Sequence, residues 1–239
     1  MSQDTLDRFP LTPAHRLFHE TYARSWRLWQ VVYAFRQLTR EGIPLAGRAF
    51  EEKMKRFFAP AQPKISAESE INRSQAAADA ATVIFAHTVV DGAAYDYCRV
   101  IALHAPQDWE RDVENKQVKL LDVRSATYET ILQQVLKKHL KQLEWKSLLG
   151  KIDLLHAKCP LPDGFKYASY VFDRERIERL DRTRHGIIHG DWLGQRFPSI
   201  DEDLDYFVQT IMYLTFLIQT KYDLQFYPDI LLPLMQAAI

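Results

Sequence analysis

At 239 residues, with 47% hydrophobic and 12% aromatic residues, the chain can fill a real core, which excludes a disordered polypeptide and fits one large domain or two small ones. Its 31 basic and 31 acidic residues cancel, so no whole-molecule field draws it to nucleic acid or to an anionic membrane, and any polyanion contact has to come from a local patch. Two isolated cysteines, Cys98 and Cys159, suit buried thiols in a reducing compartment. The start of the chain lacks a basic region followed by an apolar one, and no stretch approaches about 18 uninterrupted apolar residues. The expectation is a soluble, cytoplasmic protein without a membrane partner.

Helical periodicity dominates the chain. Thr12-Pro13 is an N-cap followed by proline at the first helical position, and the aromatic-rich run from Leu17 to Leu38 continues it through Tyr22, Trp26, Trp29, Tyr33 and Phe35. Trp26, Trp29, Tyr33 and Phe35 could stack bases, but at these spacings they are expected in a core or a dimer seam. Gly42-Ile43-Pro44 is expected to end this helix, with a second one over Leu45 to Phe58. Ala59-Pro60-Ala61-Gln62-Pro63 then reads as a Pro-rich linker and a soft boundary. This divides the chain into a helical extension over 1–63 and a helical bundle over 64–239.

In the second part an Ala-rich helix runs from about Ala67 to Leu103 and stops at His104-Ala105-Pro106, because proline disfavours helical geometry in the residue before it. Asp108 to Lys116 suggests a surface helix, Ser125 or Thr127 starts another reaching Leu143, and Trp145 to Ala157 repeats leucine at helical spacing. Cys159-Pro160-Leu161-Pro162-Asp163-Gly164 is a loop. A charged helix is expected from about Ala168 to His189, and a strongly apolar one from Asp203 to Leu224, with Tyr206, Phe207, Ile211, Leu214, Leu217 and Ile218 facing inward. Pro228 and Pro233 bracket a short tail helix. The fold class is all-α, with the long helices packed as an antiparallel bundle.

One segment looks like chemistry: Arg184-His185-Gly186-Ile187-Ile188-His189-Gly190-Asp191. An arginine followed five residues later by a histidine is weak evidence by itself, since 18 Arg and 8 His in this chain make about 0.6 such pairs by chance. Arg99 and His104 share the spacing, but Val100 follows that arginine and the segment is an apolar helix face. At Arg184 a polar His185 follows directly, Ile187 and Ile188 anchor the helix to a core, and Gly190 allows close backbone approach. Five residues of helix rotate by about 500°, which leaves Arg184 and His189 roughly 140° apart. A loosened helix end, or a second copy across a symmetric cleft, has to bring them together.

These residues make the chain resemble the HEPN superfamily (higher eukaryotes and prokaryotes nucleotide-binding domain). Its signature is an arginine, a polar residue after it, and a histidine four to six residues beyond the start, often followed by glycine, on an all-α bundle. The resemblance covers roughly Ser66 to Leu224 in architecture and about eight residues in motif. It implies a metal-independent endoribonuclease working at the cleft of a homodimer, in toxin-antitoxin, phage-defence or RNA-processing settings. RNA would be its substrate and a protein antitoxin or other neutraliser a partner. Arg184 and His189 would be the active pair and His185 the polar neighbour, standing where asparagine is commoner. Some members of the family are inactive and serve in binding or scaffolding.

The chemistry is coherent without the family. RNA supplies its own nucleophile, the 2′-OH, so the site needs a group that moves a proton and a cation for the charge growing on phosphate. Imidazole as a class titrates near neutrality and suits the first task, assigned to His189. A guanidinium grips phosphate oxygens in bidentate fashion and suits the second, assigned to Arg184. No cofactor is needed.

Asp91, a lone acid in an apolar helix stretch, is a candidate to orient His189 or Arg184 across the bundle. Arg179 and Arg182 belong to a run of five arginines between 174 and 184 and are candidates for RNA binding. The same run, with its interspersed acids, equally makes a solvated face stitched by ion pairs. Lys137, Lys138, Lys141, Lys146 and Lys151 form a second basic segment of the same kind. His185 and His189, at i and i+4, share a helix face, but Gly186 stands where a zinc-protease motif has glutamate. Only Asp191 is near enough in sequence to complete a ligand set, so no metal is expected at this site.

Overall fold

The computed structural model describes residues 11–57, 67–114, 127–161, 167–190 and 199–236, together with Phe197. Eight α-helices account for nearly all of them: α1 Pro13–Phe57, α2 Ala67–His104, α3 Glu110–Val113, α4 Tyr128–Leu143, α5 Leu148–Lys158, α6 Arg174–Ile188, α7 Ile200–Tyr222 and α8 Pro228–Gln236. A 3-10 turn, Pro106–Trp109, joins α2 to α3. The nearest approach to a strand among the described residues is an isolated bridge between Tyr167 and Tyr170. The all-α bundle expected from periodicity is the observed architecture.

α2 is the central element, in contact with α1, α4, α5, α6 and α7. Its small residues explain the position: Ala80, Ala86, Ala93 and Ala94 are buried and let neighbouring helices approach closely, while Tyr97 and Ile101 fill the space left between them. α1 runs antiparallel to α2, because its early residues meet late residues of α2 and the reverse: Arg24 pairs with Asp96, Phe35 packs on Phe85, and Arg36 pairs with Asp79. α1 is antiparallel to α7 as well, with Tyr33 donating to Asp205 at 2.5 Å and Arg36 to Asp201 at 3.1 Å. The same register logic makes α5 antiparallel to α6, with Asp153 meeting Arg174 and Leu149 meeting Asp181. It makes α5 parallel to α2: Leu149 and His87 share Asp181, Lys151 pairs with Asp91, and Lys158 reaches the Asp108 carbonyl just past the end of α2.

Phe18, Trp29 and Val32 of α1 belong to the same hydrophobic cluster as the buried residues of α2 and α7, so α1 is built into the common core. The soft boundary at 59–63 lies outside the described residues. Of the aromatics expected in a core or seam, Trp29 is buried, whereas Trp26 and Tyr33 reach the surface.

Several element ends differ from expectation for physical reasons. Pro44 does not end the first helix; α1 continues through it. Proline removes one backbone hydrogen bond and crowds the preceding turn, but packing grips the helix on both sides: Phe35 against Phe85 before it, and Gly47 so close to Ile71 after it that a Cβ would collide. The charged helix starts at Arg174, not near Ala168, because Asp173 caps it by accepting the Arg176 N–H at 2.9 Å. Ala168 itself sits at φ 52° in the preceding turn. The expected surface helix after Pro106 contains a fully buried Trp109 and a buried Val113.

All six residues of α7 expected to face inward are buried. Cys98 and Cys159 are buried and free, and burial pushes both thiols up to about 12. Among the described residues no helix is long and apolar enough to cross a membrane.

Candidate functional site

α6 carries the Arg-His motif in its last two turns and ends at Ile188. His189 is its C-cap, with φ −87° and ψ 8°. The His189 N–H still donates to the carbonyls of His185 at 3.2 Å and Gly186 at 3.1 Å, and the Gly190 N–H donates to Ile187 at 3.1 Å. The backbone is therefore almost regular up to the cap. Gly190 then takes φ 94°, a left-handed conformation open to glycine, with no described atom within 4 Å of where a Cβ would stand.

This regularity divides the motif between two stripes of the helix. Ile177, Leu180 and Ile187 are buried, and Arg184 lies on that inward stripe, partly buried, in register with them. Glu178, Arg182, His185 and His189 form the opposite, exposed stripe. The glycines do not unwind the helix enough to bring the guanidinium under His189, so within one copy the two groups stay roughly 140° apart around the axis. The structure does bring His185 and His189 together, with ring centres 4.3 Å apart and planes inclined by 54°. Nε of Arg184 is shielded from solvent and has no hydrogen-bond partner among the described residues.

Around the motif the arginines are divided by partner. Arg176 binds Asp203 of α7 through Nε at 3.0 Å and through a terminal nitrogen at 2.8 Å, and lies over the Tyr206 ring at 4.5 Å. Arg179 reaches the same carboxylate at 3.1 Å. Arg174 pairs with Asp153 of α5. The charged face is thus stitched to neighbouring helices, where spacing alone suggested partners within the helix itself. Arg182 is the exception: it is exposed, its Nε donates weakly to the Glu178 carbonyl at 3.4 Å, and no carboxylate among the described residues pairs with it. Arg176, Arg179 and Arg182 line one open groove with Ser199 and Glu202.

Asp91, the candidate to orient the motif, is engaged elsewhere. Its two carboxylate oxygens accept from Nζ of Lys151 at 2.6 and 2.7 Å. Sequence spacing groups that lysine with exposed ones, yet it is 1% exposed, because α5 lies directly on α2 and the lysine stem fills the seam. Lys137, Lys138, Lys141 and Lys146 are exposed as expected.

The partner that does hold the motif helix was not evident from sequence. Nε2 of the buried His87 on α2 lies 2.5 Å from a carboxylate oxygen of Asp181, one turn before Arg184, and the same carboxylate accepts the Leu149 N–H at 3.3 Å. Burial would raise the Asp181 carboxyl. The hydrogen bond and charge of His87, with the backbone N–H groups of Leu149 and Leu148, outweigh it and hold the group below its ordinary value. The signal available in sequence was His87 itself, a polar residue among Ala86, Val89 and Val90, which demands a buried partner without naming it.

No group of three or more His, Cys, Asp or Glu side chains arranged to enclose a metal ion occurs among the described residues. Comparisons of the chain with protein-family models, with curated proteins and with solved structures found no match.

Proposed function

We propose that the chain is a homodimeric, HEPN-like endoribonuclease that cleaves RNA by 2′-OH attack, with Arg184 and His189 as the active pair. The observation that carries this reading is the end of α6. Two solvent-facing imidazoles stand side by side there, with the exposed Arg182 one turn earlier on the same stripe, and the same helix carries on its other stripe the Arg184 guanidinium with an unused Nε donor.

In the reaction His189 takes the proton of the 2′-OH as its oxygen bonds to phosphorus. The bond to the 5′-oxygen breaks, and that oxygen takes a proton from water as it leaves. Products are a 2′,3′-cyclic phosphate and a 5′-hydroxyl end, and because the nucleophile is part of the substrate no metal-bound water has to be generated. Arg184 faces the charge that develops on the phosphate oxygens, where a preorganised cation is worth most. Because the two stripes of α6 separate the groups within one copy, this reading pairs Arg184 of one copy with His189 of the other. In this reading the dimer serves chemistry as well as binding. Cytoplasmic residence and a role in a toxin-antitoxin or defence system, with a protein neutraliser, complete the reading.

The second reading is a catalytically inactive HEPN-like scaffold that binds a nucleotide or a protein. The position of Arg184 on the inward stripe of a single copy favours it. Incubation of end-labelled RNA with the wild type and with Arg184→Ala and His189→Ala separates the two. The nuclease reading expects 2′,3′-cyclic phosphate ends from the wild type and a rate lower by roughly 10³-fold in each variant. Equal degradation by all three preparations, or none by the wild type, overturns it.

A further inference from the structure

We propose that His185 and His189 chelate a single divalent transition-metal ion, Cu²⁺ foremost, at the exposed end of α6. Two imidazoles at i and i+4 on a helix point the same way. Here their ring centres are 4.3 Å apart. With metal–nitrogen bonds of about 2.1 Å, and each ring centre roughly 1.1 Å behind its nitrogen, two neighbouring ligands on one metal put their ring centres roughly 4.5 Å apart. The observed separation is the one a chelate needs. Both side chains are exposed, so rotation about the Cβ–Cγ bonds can aim the nitrogens without moving the backbone. The helix holds the pair in register through the His189 N–H bond to the His185 carbonyl, so little conformational entropy remains to be lost on binding.

Electrostatics act in both directions. The carbonyl end of α6 favours a cation. Arg182, one turn earlier on the same stripe, opposes it through solvent, and salt weakens that opposition. Among the described residues His15 and His104 also have rings in contact, but their centres are 6.3 Å apart with near-perpendicular planes, too wide and wrongly turned for a shared ion. His19, at i+4 from His15, has both ring nitrogens engaged by the His15 carbonyl and the Tyr227 N–H. Nitrogen donors bind Cu²⁺ more tightly than Ni²⁺ or Zn²⁺. Two protein ligands leave the remaining coordination positions to water, which makes this a reversible capture site. It differs from the enclosed site of three or more ligands that is absent among the described residues.

One consequence rests on the ribonuclease reading. An ion held by His189 occupies the nitrogen that would accept the 2′-OH proton, so Cu²⁺ inhibits cleavage reversibly.

The test is a titration of the full-length protein with CuCl₂ in a non-coordinating buffer, followed by calorimetry and by visible absorption of bound Cu²⁺. One ion per chain is expected, with affinity reduced at least tenfold in His185→Gln and in His189→Gln and unchanged in His104→Gln. Ni²⁺ and Zn²⁺ should bind more weakly at the same place. Wild-type affinity in either of the first two variants, or loss in only one of them, overturns the chelate. Circular dichroism of the variants verifies that the helix end is intact. If RNA is cleaved, half-inhibition should fall at the Cu²⁺ concentration that half-fills the site, and a mismatch overturns the inhibitory role. Absence of cleavage counts against the ribonuclease reading and leaves the titration to decide the chelate.

Discussion

The backbone N–H of Tyr227 donates a 2.9 Å hydrogen bond to Nε2 of His19 and so ties the start of α8 to α1 across 208 positions of sequence. Nδ1 of the same ring lies 2.8 Å from the His15 carbonyl, so His19 is neutral with its proton on Nδ1. The ring also stacks on Tyr227, 5.7 Å away with planes inclined by 10°, and Phe226 meets it edge-on. Protonation would set N–H against N–H. Burial lowers the His19 pKa, the His15 carbonyl opposes this, and the charge of His15 adds to the lowering. His15 is lowered too, by burial and by His104, against Asp223, and burial also lowers His156.

The sign follows from linkage. With folded-state values depressed, the unfolded chain binds protons first as pH falls, so stability is level above about pH 6.5 and declines below it. Urea unfolding at pH 7.5, 6.5 and 5.5 should show this decline. It should be shallower in His19→Gln, though not absent, because His15 and His156 contribute as well.

A separate acid limb belongs to Asp181. Its folded-state pKa is depressed, so its contribution is present above the ordinary value near 4 and is lost as pH falls through the lower, folded value. Asp181→Asn should remove that limb and weaken the attachment of α6 to α2. Hydrogen exchange of α6 amides should accelerate in the variant, and unchanged exchange would mean that His87 does not hold the helix.

Lys151 and Asp91 form a buried pair of which the lysine is the hidden member. Removing one partner strands a charge, whereas replacing both need cost little. Asp91→Ala should lower stability by about 3 kcal/mol, and the double variant Asp91→Ala with Lys151→Met should regain most of it. Denaturant midpoints of the two singles and the double measure this directly. Equal loss in single and double variants would count against the pair.

Pro44 lies inside α1, where proline is less favourable than alanine by about 3 kcal/mol in a helix interior. Pro44→Ala restores the missing backbone bond and should raise the melting temperature, by less than that full difference because the surrounding helix is already adapted to the ring. A lower melting temperature would show that the ring makes contacts worth more than the bond.

For the proposed nuclease, Arg184→Ala and His189→Ala should each be inactive alone yet regain activity when mixed under conditions that exchange subunits. A mixed dimer then carries one intact pairing of Arg184 with His189 from the other copy. Cleavage by the mixture at up to roughly a quarter of the wild-type rate is the expected reading of random exchange with one working site per mixed dimer. A mixture as silent as its components would place both groups in the same copy or exclude the site.

The helical character of the chain and the inward face of α7 are both written in the order of residues. Tyr206, Phe207, Ile211, Leu214, Leu217 and Ile218 recur at the helical period, and that period is a property of local geometry. The same order singles out the Arg184 to His189 segment and, through the rotation per residue, the separation of those two groups around one helix. What lies beside what depends on how the helices pack. Lys151 stands in register with Leu148, Ile152 and Leu155 of α5 and Lys146 in the turn before it, but that the lysine fills a seam and finds Asp91 depends on α2 lying over that stripe. Asp181 sits in a run of mixed charges like its neighbours, and only the placement of α2 gives it His87. Continuation of α1 through Pro44 likewise depends on α2 packing before and after it. Helical period is encoded within a few residues. The partner of a charge depends on how whole helices dock, and contacts spanning the chain decide that.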